Sequence, residues 1–217
     1  MKKTLVLLAL ACSARAVVAQ TAAAPSQFEI LAGVNLAKLS SSEDDAGDVK
    51  MRTGLVAGVG LIKPLAPSWS FQPELTYSMK GAKVSDAGFE LTSKLSYLEV
   101  PLLLRYDIGS GSSDGVRPFI HAGPALALKL TCSFEGNDGT SNFSTGCDDE
   151  NGDGGAKTFD MGLMFGGGLA FRHMEHTFSI GVRYNLGLLN IAKDNTGGDT
   201  KNRVLSIVGT FEWPWSK

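Results

Sequence analysis

Trp69-Ser70-Phe71-Gln72-Pro73-Glu74-Leu75-Thr76-Tyr77-Ser78-Met79-Lys80 alternates without a break: every odd position is apolar and every even one polar or charged. A strand sends successive side chains to opposite faces, so this segment has one greasy face and one wet one. Aromatics stand toward both ends of the greasy face, at Trp69, Phe71 and Tyr77. At about 3.3 Å per residue twelve residues reach roughly 40 Å, and a tilt of about 45° brings that close to the thickness of a bilayer. The segment reads as a membrane-spanning β-strand, with Trp69 and Phe71 at one rim and Tyr77 and Met79 nearer the other.

The same alternation recurs on both sides of it. Strands are predicted over about 27–39, 51–65, 69–82, 91–108, 116–131, 157–172, 177–190 and 202–213. Ile30, Val34, Leu55, Val59, Leu104 and Ile120 belong to the outward faces, and Asn35, Glu74, Glu99, Arg105, Asp160 and Arg183 to the inward ones. The connections alternate long and short, with acidic or irregular stretches at 40–50, 83–90, 132–156 and 191–201. Eight strands so joined predict an all-β, eight-stranded antiparallel up-and-down transmembrane β-barrel with both termini on the tight-turn side, the periplasmic one. Charges on the outward faces fall only near strand ends (Lys38, Lys63, Arg203), as lipid requires. A soluble barrel or sandwich would need an apolar interior, whereas here nearly every inward face carries charge.

The chain opens Met1-Lys2-Lys3, continues with an apolar run from Leu5 to Ala11, and reaches the small-residue site Val17-Val18-Ala19. This predicts a signal peptide over 1–19, a short periplasmic segment over 20–26, the barrel over 27–213 and a tail over 214–217. The residues before Cys12 fit a lipid-acylation site poorly. Losing Lys2, Lys3 and Arg15 takes the formal charge from -2 to -5, which gives nucleic acid no basic surface to hold. No apolar run beyond Ala19 reaches 18 residues, so a closed barrel is the one way across a membrane.

Gly33-Val34-Asn35-Leu36, Phe71-Gln72-Pro73-Glu74-Leu75, Tyr97-Leu98-Glu99-Val100-Pro101 and Gly181-Val182-Arg183-Tyr184-Asn185-Leu186-Gly187 carry a resemblance. With the final amphipathic strand, they make the chain similar to the small outer-membrane β-barrel (porin-like) proteins common in Bacteroidetes. The resemblance covers essentially the whole mature chain. It implies that outer-membrane lipid and the barrel assembly machinery are partners. It says little about activity. Such barrels usually end on an aromatic residue read by that machinery, whereas Pro214-Trp215-Ser216-Lys217 follow Trp213 here.

The interior of an eight-stranded barrel is just wide enough to be filled by side chains, so inward charges predict a neutralising plug. If the third and fourth strands pair symmetrically about their loop, Glu74 and Glu99 face each other, with Arg105 and Arg183 as the cations. Cys132 and Cys147, the two cysteines beyond the leader, share one long connection of an exported chain and predict a disulfide. In the chain-entropy picture, closing that loop stabilises it by about 3 kcal/mol. Asp149-Glu150-Asn151-Gly152-Asp153-Gly154 matches the first half of a calcium loop, with Asp160 at the twelfth position. The usual Glu is missing there, and a solvated acidic loop accounts for the same residues. His121, His173 and His176 have no serine and acid at a spacing that marks a triad.

The expected function is a structural or surface-interaction role: envelope integrity, adhesion or ligand binding at the loops. The alternative is a narrow channel for ions or small solutes, and behind it a lipid-modifying enzyme.

Overall fold

The computed structural model describes residues 25–41, 49–86, 89–109, 115–137, 141–147, 155–193 and 199–215. Eight long strands make the wall: β1 (Gln27–Ser41), β2 (Val49–Ala66), β3 (Trp69–Asp86), β4 (Phe89–Asp107), β5 (Gly115–Asn137), β7 (Phe159–His173), β8 (His176–Gly187) and β9 (Thr200–Pro214). A short strand, β6 (Asn142–Gly146), pairs with the far end of β5 outside the wall. Every wall strand is antiparallel to its neighbours. The ring closes where β1 meets β9 in unbroken register from Gln27↔Pro214 to Ser41↔Thr200.

Closure leaves no edge, which is what allows a sheet to stand in lipid with its backbone groups satisfied. The outer face bears an apolar band, with Val59, Ile120, Ile180 and Ile207 exposed, while Glu29, Asn35, Glu74, Glu99 and Arg183 are buried in the lumen. A soluble barrel reverses this arrangement. At the tight-turn end the outward aromatics contact one another: Trp69 lies 4.8 Å from Tyr106, Phe28 4.3 Å from Trp215, and Phe211 5.9 Å from Trp213. Trp215 also donates its backbone N–H to Ser26, carrying the β1–β9 seam one step past the strand. These rings form an interfacial girdle at that end.

The structure corrects two predicted loops. The stretch expected to be irregular over 83–90 is a continued ladder, with Val84 opposite Leu91 and Asp86 opposite Phe89, so the connection shrinks to 87–88. The segment expected to be irregular over 132–156 contains the end of β5 and all of β6, paired from Ser133↔Gly146 to Asn137↔Asn142. Both errors have one cause. Beyond the bilayer a strand's outer face meets water, so Lys83 and Glu135 interrupt the apolar alternation without ending the strand.

β5 also contains a bulge. Ser96 pairs with Thr131 and Tyr97 with Lys129, leaving Leu130 unmatched, so Leu130 and Thr131 both face outward. Up to Lys129 the odd positions point into the lumen; beyond the bulge Cys132 and Phe134 do.

Ile207 is 51% exposed midway along β9, whereas Leu65 is 59% exposed at the end of β2. In vesicle-refolded protein titrated with urea, Ile207→Arg is expected to lower unfolding free energy by about 2–4 kcal/mol and Leu65→Arg by no more than about 1 kcal/mol. Equal costs would contradict the placement of the lipid band.

Candidate functional site: a layered polar lumen beneath an apolar cup

The lumen is filled in tiers. Nearest the tight turns, Arg105 pairs with Asp107 at 3.0 Å and with Glu212 at 2.9 Å, its guanidinium 4.2 Å from the centre of the Phe119 ring. Beside it Ser179 and Thr210 share a 2.5 Å hydrogen bond. In the next tier Arg183 holds Glu74 at 2.6 Å, and the Gln72 amide donates to Glu74 at 2.9 Å and to Glu29 at 3.0 Å. Gly60 makes room for this tier: a Cβ there would stand 2.3 Å from the Glu29 carboxylate.

Above these, Lys80 pairs with Glu99 at 2.6 Å and lies 4.8 Å from the centre of the Tyr97 ring. Asn185 donates to Glu99 at 3.2 Å, Asn35 to Ser78 at 3.0 Å, and Ser206 to Asn35 at 2.7 Å. Arg52 donates to the Lys80 carbonyl. In the uppermost tier Asn202 donates to Asp160 at 2.8 Å and stands 3.5 Å from the Tyr97 hydroxyl. Most of these bonds join an ionised group to a buried partner, the stronger kind.

The geometry redraws the predicted network. Glu99 stands opposite Thr76, while Glu74 stands opposite Gly60 on β2, so the two carboxylates do not face each other. The hairpin turns at 87–88, later than the symmetric loop assumed, and that offsets the register. Arg183 reaches Glu74, but Arg105 binds Asp107 and Glu212, and the cation on Glu99 is Lys80. Glu29, Lys80, Asp160 and Glu212 are further buried members of the lumen. Their signal was alternation itself, since each falls at an inward position of its strand. Among the described residues Glu29 has no Lys or Arg within ion-pair distance, and the Gln72 amide is its hydrogen-bond partner.

His121 is buried against Phe119, with ring centres 5.6 Å apart. Neither of its nitrogens has a hydrogen-bond partner among the described residues, so no serine–histidine–acid relay forms around it. Asp160 accepts from Asn202 and from the Met161 N–H on β7. The other calcium candidates, Asp149, Asn151 and Asp153, lie outside the described residues, and no cluster able to hold a metal occurs among those described.

The space left beside Glu74, Glu99 and Arg183 amounts to about 10 Å³. That is room for about one water molecule. At the long-connection end the character changes. Leu95, Tyr97, Ala127, Ala156 and Ile191 form a buried apolar floor. On it stands a cup of about 360 Å³, walled by Leu39, Val84, Leu91, Phe134 and Ala192 among others. One wall is fastened covalently, by the Cys132–Cys147 disulfide.

A family model described as the outer membrane protein beta-barrel domain matches residues 18–193. Among solved structures, the outer membrane protein OprG from Pseudomonas aeruginosa is similar at a TM-score of 0.54 and 12% identity, over 88% of this chain and 97% of that one. Neisserial surface protein A matches at 0.47 and 18%, over 87% and 97%. The outer membrane enzyme PagL matches at 0.39 and 13%, over 84% and 99%. No curated protein matches the sequence. The family match spans most of the chain and agrees with a closed ring that is apolar outside and polar within: the chain belongs to the outer membrane protein beta-barrel domain family and resides in the outer membrane.

Proposed function

We propose that this is a plugged, non-conducting barrel whose role is structural or surface-interacting, exercised at the long-connection end, which faces outward. The observation that carries the reading is the filled lumen: about 10 Å³ of free space beside Glu74, Glu99 and Arg183 offers no continuous water path. Three ion-paired tiers lie in series along the axis, so opening a channel would require several buried pairs to part together. A buried pair that loses one member costs about 3–5 kcal/mol, which keeps the plug shut at rest.

In planar bilayers the purified protein is expected to give no steady single-channel current. A reproducible conductance of pore size would overturn the plugged reading. Orientation has its own test. On intact cells a membrane-impermeant maleimide is expected to label Lys157→Cys, beside the cup, and to leave Glu175→Cys, in a tight turn, unlabelled. The reverse pattern would invert the barrel.

The lumen contacts also predict unequal mutational costs. Arg183→Met leaves the buried Glu74 carboxylate without its cation and is expected to lower unfolding free energy by about 3–5 kcal/mol in urea titrations. Glu29→Gln forfeits no ion pair and is expected to cost far less. Equal losses would show that the Arg183–Glu74 contact does not hold the tier together.

A further inference from the structure

We infer that the apolar cup at the long-connection end is a binding site for a small uncharged apolar molecule, an aromatic of one or two rings or a short alkyl chain. This rests on the plugged reading, since it treats the cup as a dead end. Size is the first argument. At about 360 Å³ the cup falls within the range of small-molecule sites. An apolar cavity of about 150 Å³ already admits a benzene-sized guest.

Chemistry is the second. Among the described residues no charged side chain lines the cup, and Ser93 and Thr200 are the only polar side chains that do. Water inside would find few of the two to four partners it needs, so an apolar occupant displaces it favourably. The third argument is construction. Lys129 Nζ donates to the Ala156 carbonyl at 2.5 Å, the Lys157 N–H to Ile191 at 2.7 Å, and the Ile191 N–H to Thr200 at 2.8 Å. An isolated bridge joins Ala156 to Ala192. Gly155, at φ 78°, lies so close to Cys147 that a Cβ on it would stand 2.5 Å from the Cys147 Cβ. The disulfide thus braces the segment that completes the wall.

Segments 42–48, 87–88, 138–140, 148–154 and 194–198, which connect the strand ends at this side, contain no apolar side chain larger than Ala46 and Ala87. They hold ten acidic residues and no Lys or Arg. Among the described residues no Lys or Arg lines the cup, so an anion with an apolar tail would find no cation there for its head. The cup therefore favours an uncharged molecule over a fatty acid. Below, Tyr97 and the Lys80–Glu99 pair close the floor, so the guest enters and leaves by the same mouth.

The test is methyl NMR of the full barrel in lipid nanodiscs, titrated with naphthalene. The expected result is saturable shifts at Ile191, Leu39 and Leu91, with dodecanoate producing none. Val84→Trp, which fills the cup, and Leu91→Lys, which charges it, are each expected to weaken binding by about tenfold or more. A heat-modifiable gel shift verifies that each variant is folded. Shifts confined to lipid-facing methyls such as those of Ile207 and Val59, or binding unchanged in both folded variants, would overturn the site. Dodecanoate binding as tightly as naphthalene would overturn its assignment to uncharged ligands. Failure of the plugged reading is read separately, because a conducting barrel shows current whether or not naphthalene binds.

Discussion

The rest of the structure depends on the β1–β9 seam. In a bilayer an unpaired backbone N–H or C=O has no water to meet and costs several kcal/mol. An open eight-strand sheet would present two such edges to lipid. The unbroken register from Gln27↔Pro214 to Ser41↔Thr200 removes both at once. Closure also divides the side chains into two populations that never meet, an apolar set in lipid and a polar set in a narrow tube. Neither population would be stable without the wall that separates them.

Once closed, the tube sets its own electrostatics. Buried carboxylates are tolerated where cations and amides reach them, and the neighbours are mostly distant in sequence: Arg183 with Glu74, Arg105 with Glu212, Asn202 with Asp160. The first two contacts join strands four places apart in the ring of eight, on opposite walls, so they brace the tube as well as filling it. Glu29 is the exception, solvated by the Gln72 amide, with no Lys or Arg among the described residues within ion-pair distance. Above Tyr97 the interior becomes apolar, and a barrel that is continuous outside is divided inside into a polar lower part and a greasy mouth.

Strand number, facing and the disulfide were legible because each has a local signature: period-two alternation, turn residues, and two cysteines in one connection. Partners across the lumen were not. Which cation reaches Glu99 depends on register, and register depends on where a hairpin turns; a shift of the turn placed Lys80 at Glu99 and sent Arg105 to Glu212. The extensions of β3, β4 and β5 were hidden because alternation marks the lipid-embedded part of a strand and loses its apolar half in water. The cup was invisible for a related reason: its walls come from the ends of several strands and two connections that no single stretch of sequence brings together.

The unmatched Leu130 illustrates how much one residue can decide. Because β5 contains this single extra position, everything beyond it exchanges inside for outside: Cys132 and Phe134 turn toward the mouth, and Ser133 and Glu135 turn away. Had Leu130 and Thr131 alternated in place of both facing outward, the odd rule would run on to the tip, aiming Cys132 and Phe134 away from the lumen and Glu135 into it. The greasy mouth and its covalent brace are thus two outcomes of one counting step in the chain. Parity here belongs to the bulge and its extra residue together: a three-base deletion of Leu130 would remove both and leave Cys132 and Phe134 facing the mouth.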